Sequence, residues 1–329
     1  MNLHDAESLA ARGDLWRGTT WVERSLEGWI VPHRFPESTL GALASHAFFG
    51  SRSRHGAGVG LRFRTDSREV RLRLSLPLES PGGSWRTGVR VDGGPWTHQG
   101  PATAAEAFDV VVAPQGAGSR IIEFRFPPYA ETRVVALELD GSLESVPPSP
   151  STQLFFGDSI TQGARAEAGE TWAERVAHGC GCEILNLAVG GSGMDGLFAR
   201  EIPARPYQAA LVAYGTNDCG GQVPLATFLE RGRELLSKIR AAAAGIPLVL
   251  LTPLPRIDKT DDVPLALESY RAAIGRLAEE FGATLLHGPD LLPEAGEIGV
   301  LSDKLHPAPL GHQLMAERVL DTLVRTAHG

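Results

Sequence analysis

Hydrophobic and polar side chains alternate through much of the first 140 residues. Val59, Leu61 and Phe63 alternate with Arg62 and Arg64, and Val70, Leu72, Leu74 and Leu76 with Arg71, Arg73 and Ser75. Ile122, Phe124 and Phe126 alternate with Glu123 and Arg125, and Val135, Leu137 and Leu139 repeat the pattern. A period of two puts one face of a strand in a core and the other in water. Turn signals at Asp92-Gly93-Gly94 and Gly116-Ala117-Gly118 separate the runs at intervals suited to a β-sandwich, and a jelly-roll-like, all-β fold is expected for residues 1–141. The arginines at 62, 64, 71 and 73 are then the wet face, their stems covering apolar surface.

Residues 142–152 (SLESVPPSPST) lose the alternation and concentrate Pro and Ser, as an exposed connection does. Beyond it the rhythm changes. Apolar runs at 153–156, 183–188, 209–214, 248–252 and 283–287 are separated by helical patterns at 170–179, 225–244 and 264–281, and a last helix is expected over 308–327. Strand and helix in alternation predict a parallel five-stranded sheet between two helical layers, an α/β domain of flavodoxin-like type over residues 153–329. In such sheets reactive groups collect at the carboxyl ends of the strands.

The chain has 329 residues, 43% of them hydrophobic and 21% charged, which fits two folded domains of ordinary composition. A formal net charge of −8 argues against a nucleic-acid partner, and no apolar run is long enough to predict a membrane span. Residues 1–16 have no basic-then-apolar leader pattern, so the expected address is the cytoplasm. Cys180, Cys182 and Cys219 make no disulfide framework, and no Cys, His, Asp or Glu group has zinc spacing, so neither metal nor cofactor is expected.

The chemistry sits at the strand ends. Gly157-Asp158-Ser159-Ile160-Thr161 follows the first strand, Asn186 and the NLAVGGSG run the second, and Gly215-Thr216-Asn217-Asp218 the third. Asp303-Lys304-Leu305-His306-Pro307 precedes the last helix. A lone serine there would be read as a helix cap. Four motifs in this order resemble the SGNH/GDSL hydrolase family over residues 153–327. The resemblance implies that Ser159 is the nucleophile, that Asp303 and His306 complete a triad, and that Ser159, Gly191 and Asn217 bind the oxyanion. Gly190 or Ser192 takes the place of Gly191 if the register is off by one. Physical chemistry agrees, because a serine hydroxyl needs a base, an orienting acid and oxyanion donors. Three residues apart, Asp303 and His306 can meet within one turn.

The neighbours receive plainer readings. Asp158 holds the turn, Asn186 pins a loop, and Asp218 orients Asn217 or caps a helix. His312 is a surface or packing histidine and Trp172 a core aromatic. Substrate-binding residues are open, with Arg165 a rim candidate and Trp29 and His33, in the segment 28–36 (GWIVPHRFP), candidates for a rim loop; a strand within the sandwich is the competing reading. A sandwich before such a domain resembles carbohydrate esterases of family two, of the acetyl-xylan type, and acyltransferases of polyketide tailoring. The resemblance implies a serine esterase that removes a small acyl group, acetyl first, from a carbohydrate or other hydroxylated small molecule. Acyl transfer to an alcohol is the alternative, and a non-catalytic carbohydrate-binding protein a third. Residues 1–141 are expected to shape the entrance to the active site and to supply no catalytic group.

Overall fold

The computed structural model describes residues 2–77, 84–102, 104–116, 118–257 and 265–327. Met1, Ala117 of the predicted 116–118 turn and Pro264 of the predicted 264–281 helix lie outside them. The chain divides into two compact units, one of Met1–Phe35, Arg54–Pro148 and Glu167–Gly169, the other of Pro36–Ser53, Ser149–Ala166 and Glu170–Gly329.

The first unit contains two antiparallel sheets, each of six strands. One runs in the order Trp21–Arg24, Ile30–His33, Arg133–Leu139, Val70–Leu76, Ala105–Val112, with Asn2–Asp5 also paired to Arg133–Leu139. The other runs Glu144–Ser145, Gly60–Thr65, Arg120–Arg125, Thr87–Val91, Thr97–Gln99, with Trp16–Arg17 added to Gly60–Thr65. The inward residues of both, Leu61, Phe63, Leu72, Leu74, Ile122, Phe124 and Leu137 among them, form one buried core, as the alternation predicts. Val135 departs from it. A bulge between Val134 and Ala136 shifts the register, so Val134 takes the inward place and Val135 is only half-buried. Arg71 and Arg73 share Asp109 on the outer face, at 3.0 Å each.

Two helices, Glu37–Leu43 and Ala47–Ser53, interrupt the span in which alternation predicts strands, and both cluster with the second unit. That unit is built on a parallel sheet in the order Glu183–Asn186, Thr152–Gly157, Tyr207–Ala213, Leu248–Leu251, Thr284–Leu286. In sequence terms this is 2-1-3-4-5, the flavodoxin-like order. Helices Trp172–Gly179 and Pro309–Ala327 pack over the face carrying Phe155, Leu211, Val249 and Leu251. Leu225–Ala242 and Leu267–Phe281 pack against each other, the latter touching the last two strands. Thr171 and Glu174 close a reciprocal capping box at the start of Trp172–Gly179.

One buried charge cluster stands out in the first unit. Glu123 is held by Arg90 at 2.6 Å and Arg125 at 2.9 Å, all three buried. Burial raises the carboxyl pKa, but Arg125 and Arg90 together outweigh it and the net shift is downward. Replacing Glu123 with Ala leaves two buried guanidiniums without their anion, and urea unfolding at pH 7 should register a loss of about 3–5 kcal/mol. Because the folded pKa is depressed, this contribution is whole above the ordinary glutamate value and is lost as pH falls through the folded one. The gap between parent and variant therefore narrows in acid; a gap that widens contradicts the assignment.

Candidate active site

Strand Thr152–Gly157 lies between two parallel neighbours and is buried throughout, so its carboxyl end opens at the sheet edge where the order reverses. Gly157 is required there by close approach: a Cβ would stand 2.3 Å from Thr161 Oγ1 and 2.8 Å from Ala213 O. Asp158 caps the short helix Ser159–Gln162 by accepting the Ile160 N–H at 2.9 Å. Burial, with the nearby Asp218 carboxylate adding to it, raises the Asp158 pKa to about 7.

Ser159 opens this helix, and its Oγ lies 2.9 Å from His306 Nε2. His306 Nδ1 in turn lies 2.9 Å from Asp303 Oδ2. Asp303 Oδ1 accepts the backbone N–H groups of Leu305 and His306, each at 2.8 Å, so the loop folds around its own carboxylate. Burial raises the Asp303 pKa, but the His306 backbone and side chain and the Leu305 backbone pull it down to about 2. An ionised carboxylate at Nδ1 fixes the proton on that nitrogen and leaves Nε2 to accept from the serine. Arg165 reaches Asp303 Oδ2 at 3.6 Å from a left-handed backbone, φ +68°.

The donors are arranged around the loop after the second strand. Gly190 N–H goes to Gln162 Oε1 at 2.6 Å and Ser192 N–H to Val189 O at 3.1 Å. Gly191 N–H has no acceptor among the described residues. Its backbone is left-handed, φ +80°. Asn217 Nδ2 donates to Ser192 O at 2.9 Å, which orients the carboxamide and leaves its second N–H to donate elsewhere. Asp218 grips the Met194 N–H with both oxygens at 3.2 Å; burial, opposed by that N–H, leaves its pKa at about 6. Asn186 donates to Thr161 O at 2.8 Å and accepts from Ala188 N–H at 3.0 Å, pinning two loops together.

The remaining candidates are engaged elsewhere. Trp29 carries the Arg133 guanidinium 4.2 Å above its ring, and His33, at the end of strand Ile30–His33, is buried, bonded to Glu23 at 2.8 Å and stacked on Trp21. All of these partners belong to the first unit. Trp172 is fully buried against Phe155. His312 is a packing histidine that bridges two backbone groups, since Nδ1 accepts the Trp172 N–H at 3.3 Å and Nε2 donates to Ala164 O at 2.9 Å. Phe48 and Arg52, on helix Ala47–Ser53, were not singled out by sequence reasoning, yet their side chains lie against Gly191. Their i, i+4 spacing is the one local signal that they share a helix face.

Residues 155–314 match the family model described as GDSL-like Lipase/Acylhydrolase family. In structure the chain is similar to a salicylyl-acyltransferase, SsfX3, from a tetracycline biosynthetic pathway, at TM-score 0.84 and 22% identity over 99% of this chain and 97% of that one. It is similar to a putative GDSL-like lipase from Bacteroides ovatus, at 0.78 and 16% over 98% and 97%. A family two carbohydrate esterase from Cellvibrio japonicus follows at 0.68 and 15%, again over 98% and 97%. No curated protein matches the chain in sequence. Among the described residues no helix is long and apolar enough to cross a membrane, and no group of three or more His, Cys, Asp or Glu side chains could hold a metal ion.

His312 ties the residues after the serine helix to the start of the next one, so removing it leaves the Trp172 N–H and Ala164 O without partners. His312→Ala should cost about 2–4 kcal/mol in urea unfolding at pH 7.5. Burial lowers the His312 pKa to about 4. The neutral ring's contribution is therefore complete above the ordinary histidine value and declines as pH falls from there toward 4. The deficit of the variant should shrink over that window; one that stays constant would mean that the buried ring does not titrate with folding.

Proposed function

Residues 155–314 belong to the GDSL-like lipase/acylhydrolase family, and from that premise we propose that this protein is a serine esterase acting through an acyl-Ser159 intermediate. The observation that carries the proposal is the hydrogen-bonded series Ser159 Oγ, His306 Nε2, His306 Nδ1, Asp303 Oδ2, set beside a Gly191 N–H with no acceptor among the described residues.

Ser159 Oγ attacks the ester carbonyl while its proton passes to His306 Nε2, and Asp303 stabilises the imidazolium. The carbonyl oxygen becomes an oxyanion held by the N–H groups of Ser159 and Gly191 and by the second N–H of Asn217. Collapse breaks the bond to the alcohol, which leaves with the proton from His306. A second alcohol or water then gives its proton to His306 and attacks the acyl-serine, and the same steps in reverse free Ser159.

The substrate favoured is a small acyl ester, acetyl first, of a carbohydrate or other hydroxylated small molecule; the fold shared with family two carbohydrate esterases supports it. Acyl transfer to an alcohol is the second reading, favoured by the likeness to a salicylyl-acyltransferase over 99% of the chain. Product analysis with and without a polyol acceptor separates them: free acid marks hydrolysis, and an acceptor ester marks transfer.

Ser159→Ala should reduce turnover of 4-nitrophenyl acetate to below about 1% of the parent with melting temperature nearly unchanged, and abolish any acyl adduct by intact mass. His306→Ala should be as severe, and Asp303→Asn should keep more residual activity. Several per cent of activity in Ser159→Ala would reject the serine mechanism. Chelation is expected to leave the rate alone, since the serine route needs no Lewis acid; activity lost to EDTA and restored by a divalent cation would contradict it.

A further inference from the structure

Helix Ala47–Ser53 belongs to the hydrolase unit although more than a hundred residues separate it from the serine. Phe49 packs edge-on to Phe198 with ring centres 5.9 Å apart, and Ser38 bonds Glu201. These contacts hold the helix pair to the segment that follows the Gly190–Met194 loop. Phe48 meets the Phe49 ring edge-on, with centres 5.6 Å apart, and reaches Gly191. It is 53% exposed, yet a Cβ on Gly191 would meet its Cε1 at 2.5 Å and its Cζ at 2.9 Å. The ring therefore lies on the very residue whose N–H is left without an acceptor. Arg52, one turn later, stacks its guanidinium 3.9 Å from the ring centre, which holds the ring in place.

An exposed aromatic face at such a position has a defined partner. In the tetrahedral adduct the departing alcohol must face His306, which protonates it, so a group on the oxyanion side meets the acyl substituent. We propose that Phe48, held by Arg52, is the wall against which the acyl group lies, and that it selects esters whose acyl part is flat or bulky and apolar over acetyl. The inference rests on Ser159 being the nucleophile and Gly191 an oxyanion donor. It gives residues of the first 141 a direct share in substrate choice, and it sets the acyl preference above the acetyl group that the esterase likeness favours.

Two ester series test it. 4-Nitrophenyl benzoate and acetate differ only in the acyl part; benzyl and ethyl acetate differ only in the alcohol. Phe48→Ala should lower the benzoate-to-acetate ratio of kcat/KM by about fivefold or more, the worth of one aromatic contact, and should move the benzyl-to-ethyl ratio much less. Phe48→Leu keeps the helix packing and removes the flat face; if Phe48→Ala does not fold, it is read by the same ratios at about threefold. A smaller fall in the acyl ratio, or an alcohol ratio that falls as far, overturns the proposal. Ser159→Ala separates the two failures. Benzoate and acetate cleavage surviving in it would defeat the serine reading, whereas an inactive Ser159→Ala beside an unmoved acyl ratio defeats only the role given to Phe48.

Discussion

The serine mechanism proposed for this chain needs a backbone donor that no protein group accepts, and the loop after strand Glu183–Asn186 is organised so that Gly191 N–H is left so among the described residues. A buried N–H without an acceptor costs about 1–3 kcal/mol, so neighbouring donors find partners wherever they can. Here Gln162 takes Gly190 N–H, Asp218 takes Met194 N–H, Asn186 takes Ala188 N–H and Val189 takes Ser192 N–H. Gly191, exposed between two bonded neighbours, has no acceptor among the described residues and does not carry that cost. The same bonds fix the loop's path, so on the proposed mechanism the donor is aimed before any substrate arrives. Preorganisation of this kind is what makes a hydrogen bond stronger toward a forming oxyanion than toward a resting carbonyl.

The side chains that do this fixing are themselves costly to bury. Asp158 and Asp218 are both raised, to about 7 and about 6, because each sits away from water with few compensating donors. Asp303 is the opposite case: partly exposed, it gathers two backbone N–H groups and the imidazole, and falls to about 2. Environment alone separates three aspartates that the sequence writes identically. The acid beside His306, which the proposed mechanism needs charged, is the one wrapped in donors, and those that hold turns can be neutral without losing their acceptor oxygens.

Periodic and local features were legible in the sequence; contacts made at long range were not. Alternation foretold the sandwich strands because each buries one face, and it failed at Val135, where a bulge adds a residue that no period of two can anticipate. The five parallel strands were legible as apolar runs because both faces of such a sheet are covered. The pairing of Asp303 with His306 was readable because three residues suffice to bring them together. Helices Glu37–Leu43 and Ala47–Ser53 were hidden by length: seven residues each give barely two turns of pattern. His312 could not be told from a surface histidine because its partners, Trp172 N–H and Ala164 O, are backbone atoms well over a hundred residues away.

The proposed mechanism would let one site carry out either ester hydrolysis or acyl transfer. In the proposed mechanism His306 protonates the departing alcohol and deprotonates whatever arrives next, so both exchange partners would use the same side of Ser159. On that side the side chains are partly open, His306 at 22% and Asp303 at 35%, and Arg165 beside them is 47% exposed. On the role proposed for Phe48, the acyl group bonded to the serine between the two half-reactions would lie toward Gly191 and Phe48. On that mechanism, changing the residues near Arg165 would alter which hydroxyl is admitted, water or a larger alcohol, without touching the proposed oxyanion donors. Changing Phe48 or Arg52 would, on the same proposal, alter which acyl group is accepted without touching proton transfer. Two choices made on opposite sides of the proposed nucleophile could then change independently, leaving the strand end, the pinned loop and the Asp303–His306 turn as they are.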